Sequence, residues 1–276
     1  MKSYDPQRPV IFAHIPKCAG TSFIRLLRRW YRDGYHHPHV NEKEQGTQLP
    51  RVSLRDEQGN WRNDIQCIHA HFDHGRGYGL PHQFPDVDQY FSFMRDPFDI
   101  VVSMYFFAKR KSAEGTFFYD GKQVDIRDNY PSVADYVRDE PKWLYHHLPQ
   151  DITLENYLEE IPKRFVYLGL FEDMDNSLKA LARVLNKPYQ PLPQVNVSTY
   201  DEDIPQDLRE WFYEKHPLLK GYHDIARRTY LEPLDGLSSN DSHSESGRSQ
   251  SDSRATGLWQ RLLRPSNWTS SRSKVT

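Results

Sequence analysis

Residues 14–23, which read His-Ile-Pro-Lys-Cys-Ala-Gly-Thr-Ser-Phe, combine side chains that suit the binding of an anion. They follow the apolar run at residues 10–13 and precede a helical pattern, so backbone N–H groups and the positive end of a helix dipole should face one point. Lys17 supplies a mobile positive charge, and Gly20 lets the backbone come close to a ligand. We therefore predict a phosphate-binding loop formed by Lys17, Cys18, Ala19, Gly20, Thr21 and Ser22.

This loop differs from the Walker A motif of nucleotide-hydrolysing proteins. That motif places its lysine after the last glycine and follows it with serine or threonine. Here Lys17 comes three residues before Gly20. For this segment alone, an ordinary capped helix start with a surface lysine remains the alternative.

A second segment, residues 91–105, repeats the order of strand, turn and helix. Arg95 closes the predicted strand, and Ser103 follows eight residues later within the predicted helix. A guanidinium offers paired donors to a phosphate, and a hydroxyl adds another. The alternative is structural: Arg95 would pair with Asp96, and Ser103 would be a buried helical hydroxyl.

Two histidines between these segments are candidates for acid–base chemistry. His69 and His71 are two residues apart, so on a strand they lie on the same face. Imidazole, with an ordinary pKa near ~6.5, suits the removal of a proton from a hydroxyl at neutral pH. A structural role remains open, and so does a metal site that would add His74.

Together the two segments resemble the signatures of carbohydrate sulfotransferases of the family 2 type, which use 3′-phosphoadenosine 5′-phosphosulfate (PAPS). The closest resemblance is to uronyl 2-O-sulfotransferases, whose loop reads Pro-Lys-Thr-Ala-Ser-Thr-Ser-Phe where this chain has Pro-Lys-Cys-Ala-Gly-Thr-Ser-Phe at 16–23. Their second signature is Arg-Asp-Pro, two residues, arginine, two residues, serine. This chain matches it except at Ile100, which replaces the inner arginine. The similarity extends over residues 10–230 and is weak at 112–160.

The resemblance implies an enzyme that moves a sulfuryl group from PAPS to a hydroxyl, with no metal required. The loop at 16–23 would hold the 5′-phosphosulfate, and Arg95 with Ser103 would hold the 3′-phosphate. The family carries a His-x-His between the two signatures, so His71 is the expected catalytic base and His69 an assisting group. Lys17 would stabilise the leaving phosphate, and Asn196 and Ser198 would lie near the nucleotide. A carbohydrate is the expected acceptor, although other hydroxyl compounds remain open.

The elements that must position these residues alternate between strand and helix. Strands are predicted near residues 10–14, 65–71, 89–94 and 165–171, and helices from residue 21, after Pro97, over 173–185 and over 205–230. Such alternation indicates an α/β fold, here a P-loop-like three-layer domain with a mainly parallel sheet flanked by helices. Residues 112–150 lack periodicity, and their Tyr, Trp and His side chains are candidates for the acceptor groove.

The composition separates residues 1–236, the expected sulfotransferase domain, from residues 237–276, a Ser-rich basic segment expected to be disordered. That segment carries six basic and three acidic residues, so the net charge of −2 leaves −5 for residues 1–236. An acidic body argues against nucleic-acid binding. A short amphipathic stretch around Trp259 could contact a membrane surface or a partner.

No run of residues has the ~20 apolar side chains of a membrane span, and residues 1–9 have no signal-peptide character. Two cysteines are too few for a disulfide framework. These features predict a cytoplasmic protein. Two alternative functions remain: a P-loop nucleotide kinase, and a non-catalytic protein that binds PAPS or its product adenosine 3′,5′-bisphosphate (PAP).

Overall fold

The computed structural model describes residues 1–119, 121–139, 142–192 and 203–234. Its centre is a five-stranded sheet in which every neighbouring pair is parallel, in the order β2-β3-β1-β4-β7. These strands are β1 (Val10–Ala13), β2 (Tyr35–His36), β3 (Cys67–Ala70), β4 (Tyr90–Met94) and β7 (Phe165–Leu170). A small antiparallel pair, β5 (Phe118–Tyr119) and β6 (Lys122–Gln123), lies apart from this sheet.

The described helices differ widely in length, from four residues to seventeen. They are α1 (Gly20–Tyr31), α2 (Pro97–Ala113), α3 (Ile126–Asn129), α4 (Val133–Asp139), α5 (Lys142–Tyr145), α6 (Tyr157–Arg164), α7 (Met174–Val184), α8 (Gln206–Lys215) and α9 (Pro217–Thr229). None of the helices in the described ranges is long and apolar enough to cross a membrane.

The sheet is covered on both faces because successive residues of a strand point to opposite sides. In β1, Val10 and Phe12 join a cluster with the apolar faces of α1 and α7. Ile11 and Ala13 join the larger cluster formed with α2, α4, α8 and α9. This three-layer α/β arrangement confirms the predicted fold class.

The strand order places three connections side by side. β1 lies between β3 and β4, so the segments that follow these strands leave the same edge of the sheet next to one another. In open parallel sheets, ligands bind at this carboxyl edge. The edge therefore unites the loop after β1, the histidines at the end of β3 and the arginine after β4.

Three local predictions needed correction. The irregular stretch at 33–64 contributes a two-residue strand, β2, which extends the sheet beyond β3. The strand predicted at 65–71 is shorter, since β3 begins at Cys67; Ile65 precedes it and packs in the cluster opposite to that of Cys67. The helical region at 205–230 is divided into two helices at Pro217, which opens α9 because proline cannot continue a helix.

Candidate functional site

The loop between β1 and α1 has the backbone form of an anion site. Lys17 and Ala19 both have positive φ, at 67° and 62°, and left-handed residues of this kind are typical of loops whose successive N–H groups bind an anion. Ala19 is the N-cap of α1, and no side chain caps this end of the helix. The first turn of α1 therefore presents its N–H groups without the side-chain acceptor that usually covers them.

Gly20 is required at the start of α1 by a close contact. A Cβ atom built on Gly20 would lie 1.6 Å from Cε1 of His14. The His14 ring occupies the space beneath the first turn, and only a residue without a side chain fits above it. Of the other predicted loop residues, Thr21 is exposed, whereas Ser22 and Cys18 are buried. Burial raises the pKa of the Cys18 thiol to about 12, so its contribution to an anion site is its backbone.

Lys17 stands among other cations. Its Nζ lies 4.3 Å from the ring centroid of Phe107, and the guanidinium of Arg110 lies 5.8 Å from the same centroid. The pKa of Lys17 is lowered to about 8, first by burial and then by the positive charges of Arg110 and Arg95. Cations gathered in this way repel one another and favour the binding of a multivalent anion.

Arg95 does not make the ion pair with Asp96 that was its structural alternative. The Asp96 carboxylate receives a 2.7 Å bond from Tyr213 Oη and a 2.7 Å ion pair from Arg209, and it also caps α2 through the Asp99 N–H at 3.2 Å. Within the described residues no carboxylate pairs with Arg95, whose guanidinium lies 5.0 Å from the Phe171 centroid. Its donors remain available for a ligand.

Ser103 is buried in α2, and its Oγ has no hydrogen-bond partner within the described part of the chain. An unpartnered buried hydroxyl is unfavourable unless a ligand pairs with it. Ile100, which stands where the resembled enzymes have an arginine, is fully buried in the apolar core. It faces away from solvent, so in this chain that position cannot supply a phosphate contact.

The predicted histidine pair occupies two different environments. His69 is fully buried in β3, where its Nδ1 is 2.7 Å from Tyr35 Oη and its Nε2 is 3.0 Å from His14 Nδ1. The pKa values of His69 and His14 are lowered, mainly by burial, so both rings are neutral at pH 7. His69 thus belongs to a buried polar chain and does not itself face solvent.

His71 lies just beyond β3 and is exposed. Its Nδ1 is 3.0 Å from the backbone oxygen of His14, and the two rings are 4.1 Å apart at their centroids. The surrounding protein and the neighbouring His147 lower the pKa of His71 to about 4. Because a carbonyl only accepts, Nδ1 carries the hydrogen, and Nε2 holds a lone pair.

Sequence reasoning did not single out His14 or Tyr35, and it included His147 only among the Tyr, Trp and His side chains of residues 112–150 that were candidates for the acceptor groove. Their roles depend on tertiary contacts, although His14 is conspicuous as a polar residue at the end of an otherwise apolar strand. Asn196, Ser198 and residues 237–276 lie outside the described residues. The three histidines proposed for a metal do not form a metal site: the His74 ring packs against that of His146, with centroids 4.6 Å apart, and no group of three potential ligands able to hold a metal occurs in the described ranges.

Comparison with known proteins agrees with this geometry. A family model described as the sulfotransferase family matches residues 3–217, which is well over half of the chain. Among curated proteins no significant match is found. The matched region includes the loop at residues 16–23, His69 and His71 at the end of β3, and the segment around Arg95.

Proposed function

The chain belongs to the sulfotransferase family, and from this premise we propose that it transfers a sulfuryl group from PAPS to a carbohydrate hydroxyl. Membership implies an enzyme that transfers a sulfuryl group. The donor, the acceptor class and the residue roles below are our proposals. The observation that carries them is the group of cations, Lys17, Arg95 and Arg110, which gathers beside the β1–α1 loop without a carboxylate partner among the described residues.

The donor site suits a nucleotide with two separate anionic groups. Lys17 and the N–H groups of residues 18–22 would hold the 5′-phosphosulfate, because the uncapped helix start favours an anion. Arg95 would hold the 3′-phosphate together with Ser103, whose unpartnered Oγ would gain a partner. Asn196 and Ser198 are further candidates for nucleotide contacts. When bound, PAPS would supply a sulfuryl group attached to a good leaving group.

His71 would act as the general base. Its Nδ1–H donates to the His14 carbonyl, so Nε2 accepts the proton of the acceptor hydroxyl. The acceptor oxygen then forms a bond to sulfur while the bond between sulfur and the 5′-phosphate oxygen breaks. Lys17 stabilises the charge that develops on that phosphate, and the products are a sulfate ester and PAP.

His69 has a positioning role in this proposal. It cannot reach solvent, but it holds His14 through the 3.0 Å contact between their rings, and His14 in turn holds His71 through its carbonyl. Tyr35 anchors the other side of His69. The chain from Tyr35 to His14 therefore fixes the orientation of the base.

The donor assignment predicts nucleotide binding that depends on the 3′-phosphate. In calorimetric titrations, PAP should bind more tightly than adenosine 5′-monophosphate or ATP. Arg95→Ala should weaken PAP binding by about 10- to 100-fold, because hydrogen bonds to charged groups contribute roughly 1.5–3 kcal/mol. It should change binding of the monophosphate little, since that nucleotide lacks the 3′-phosphate.

Arg127→Ala is the matched control, because Arg127 is exposed and pairs with Asp125 outside the proposed site. The proposal fails if PAP binds no better than the monophosphate or if ATP with magnesium is preferred. Tight PAP binding without transfer to any acceptor would instead support the non-catalytic alternative.

Donor binding should also depend on pH through Lys17. Its pKa of about 8 means that it begins to lose its charge above about pH 7 in the free protein and has lost about half of it at pH 8, whereas a bound anion keeps it protonated. PAP affinity should therefore be level below about pH 7, fall by about half at pH 8 and fall by up to about tenfold per unit at higher pH. Titrations across this range in Lys17→Arg, whose guanidinium does not titrate, should stay level. A parallel fall in both proteins would assign the effect to another group.

A further inference from the structure

His147 lies beside the proposed base, although it is 76 positions further along the chain. It follows the short helix α5, and its ring centroid is 6.1 Å from that of His71, with the two ring planes at 64°. Nothing in the donor assignment uses this residue. Because it lies beside the proposed base, its hydrogen bonds indicate how a sulfuryl acceptor would bind there.

The two rings are held in the same way. His147 Nδ1 is 2.6 Å from the backbone oxygen of Phe72, as His71 Nδ1 is 3.0 Å from that of His14. Both contacts require the hydrogen on Nδ1, so each neutral ring keeps its lone pair on Nε2. Neither Nε2 has a protein hydrogen-bond partner within the described residues. The site therefore presents two hydrogen-bond acceptors in fixed positions, Nε2 of His71 and Nε2 of His147.

Main-chain contacts hold His147 in this position. The N–H of His74 donates to the backbone oxygen of His146 at 3.0 Å, and the rings of these two residues lie 4.6 Å apart. Gly75 allows this approach, since a Cβ there would be 2.4 Å from Nδ1 of His146. The turn after α5 is thereby joined to the segment after β3, which carries His71.

Both rings are neutral at physiological pH. Desolvation by the surrounding protein is the main cause for each, and repulsion from neighbouring imidazoles adds to it, so the pKa of His71 and that of His147 are both lowered to about 4. A neutral imidazole with its hydrogen already committed is an acceptor only. Such a site favours a sulfuryl acceptor whose hydroxyl groups donate two hydrogen bonds, one to each ring.

We propose that His147 accepts a hydrogen bond from a second hydroxyl of the acceptor, next to the hydroxyl that His71 deprotonates, so that the enzyme selects vicinal diols. Two hydrogen bonds of about 2.8 Å bridge the space between the rings when the two oxygens sit on adjacent carbons. An alcohol with one hydroxyl donates one hydrogen bond and leaves the Nε2 atom of the other ring without a partner. The inference rests on the proposed function and adds a requirement for the acceptor.

The test compares cis- and trans-cyclohexane-1,2-diol with cyclohexanol as acceptors for PAPS, measured by sulfate-ester formation. PAPS hydrolysis to PAP is measured in parallel, with water as the acceptor. The wild-type protein should sulfate at least one diol about 10- to 100-fold faster than cyclohexanol. Hydrolysis should require the donor site but not the second hydroxyl contact.

Two variants separate contact with the acceptor from support of the fold. His147→Asn can keep the donor to the Phe72 carbonyl but loses the acceptor at the Nε2 position. His147→Gln can keep an acceptor near that position and loses the anchoring donor. His147→Asn should therefore abolish the preference for the diol while PAPS hydrolysis persists, and His147→Gln should retain part of the preference. His82→Asn, at an exposed histidine, is the control.

The outcomes distinguish the inference from the proposed function. Absence of both hydrolysis and transfer in the wild-type protein would refute the proposed function, and the inference with it. Hydrolysis with no faster transfer to either diol than to cyclohexanol would overturn the inference alone. So would an undiminished diol preference in His147→Asn. Loss of the preference in His147→Asn with hydrolysis intact would support it.

Discussion

Replacing His71 by alanine is expected to lower kcat by about 10²–10⁴-fold while the affinity for PAP stays unchanged. The hydroxyl of an acceptor attacks poorly until its proton is removed, and His71 Nε2 is the exposed lone pair held in a fixed direction at this edge of the sheet. The proposed donor contacts come from other segments, the β1–α1 loop and the residue after β4. Loss of the base should therefore lower turnover without changing the affinity for the nucleotide.

The measurement is single-turnover sulfate transfer with saturating PAPS, accompanied by PAP titration of the same preparation. His82→Ala serves as the control, since His82 is exposed and lies outside the site. Because the pKa of His71 is lowered to about 4, wild-type turnover should show no loss from protonation of this residue between about pH 6 and 8. Normal turnover by His71→Ala would remove the general-base assignment.

Replacing Lys17 by alanine should damage binding and turnover together. Its ammonium would contact the phosphosulfate in the ground state and meet more negative charge as the leaving phosphate departs. We expect PAP affinity to fall by about tenfold or more and kcat by about 10²–10³-fold, as for removal of one donor from a charge-stabilising site. The change removes the repulsion of Lys17 by Arg110 and Arg95, so the folded protein should not lose stability through it.

Calorimetry with PAP and single-turnover transfer test this expectation in Lys17→Ala and in Lys17→Arg. The arginine variant keeps a positive charge and should bind PAP better than the alanine variant. Lys179→Ala is the control, because Lys179 is exposed and its ion pair with Asp175 on α7 contributes little. If Lys17→Ala retains both affinity and turnover, the phosphate-loop assignment is wrong.

Much of the proposed donor site could be predicted because its determinants are local in sequence. A buried strand that ends in a lysine-containing turn before a helix specifies the geometry at Lys17, and the same pattern specifies that at Arg95. Sequence left open whether Arg95 pairs with Asp96. The answer lies in α8, whose Arg209 and Tyr213 occupy the Asp96 carboxylate, and no local pattern indicates that contact.

The acceptor side could be predicted only in part. Alternation along a strand predicted that His69 and His71 share one face, but it did not show that His69 is buried and that His71, just beyond β3, is exposed. That difference arises because Tyr35, from a strand two residues long, and His14 enclose His69. His147 reaches the site through an irregular region whose path depends on tertiary packing, so no periodicity revealed it.

The contact between His14 and Gly20 has a consequence for how relatives of this protein diverge. Since the imidazole occupies the volume of any Cβ at position 20, a change at either position is conditional on the other. Lineages that retain histidine at 14 in this orientation should retain glycine at 20. Those with serine at 20, as in the uronyl 2-O-sulfotransferase loop, should carry a different residue or a different ring orientation at 14. Covariation of these two positions would divide the family into groups with different arrangements beneath the phosphate loop.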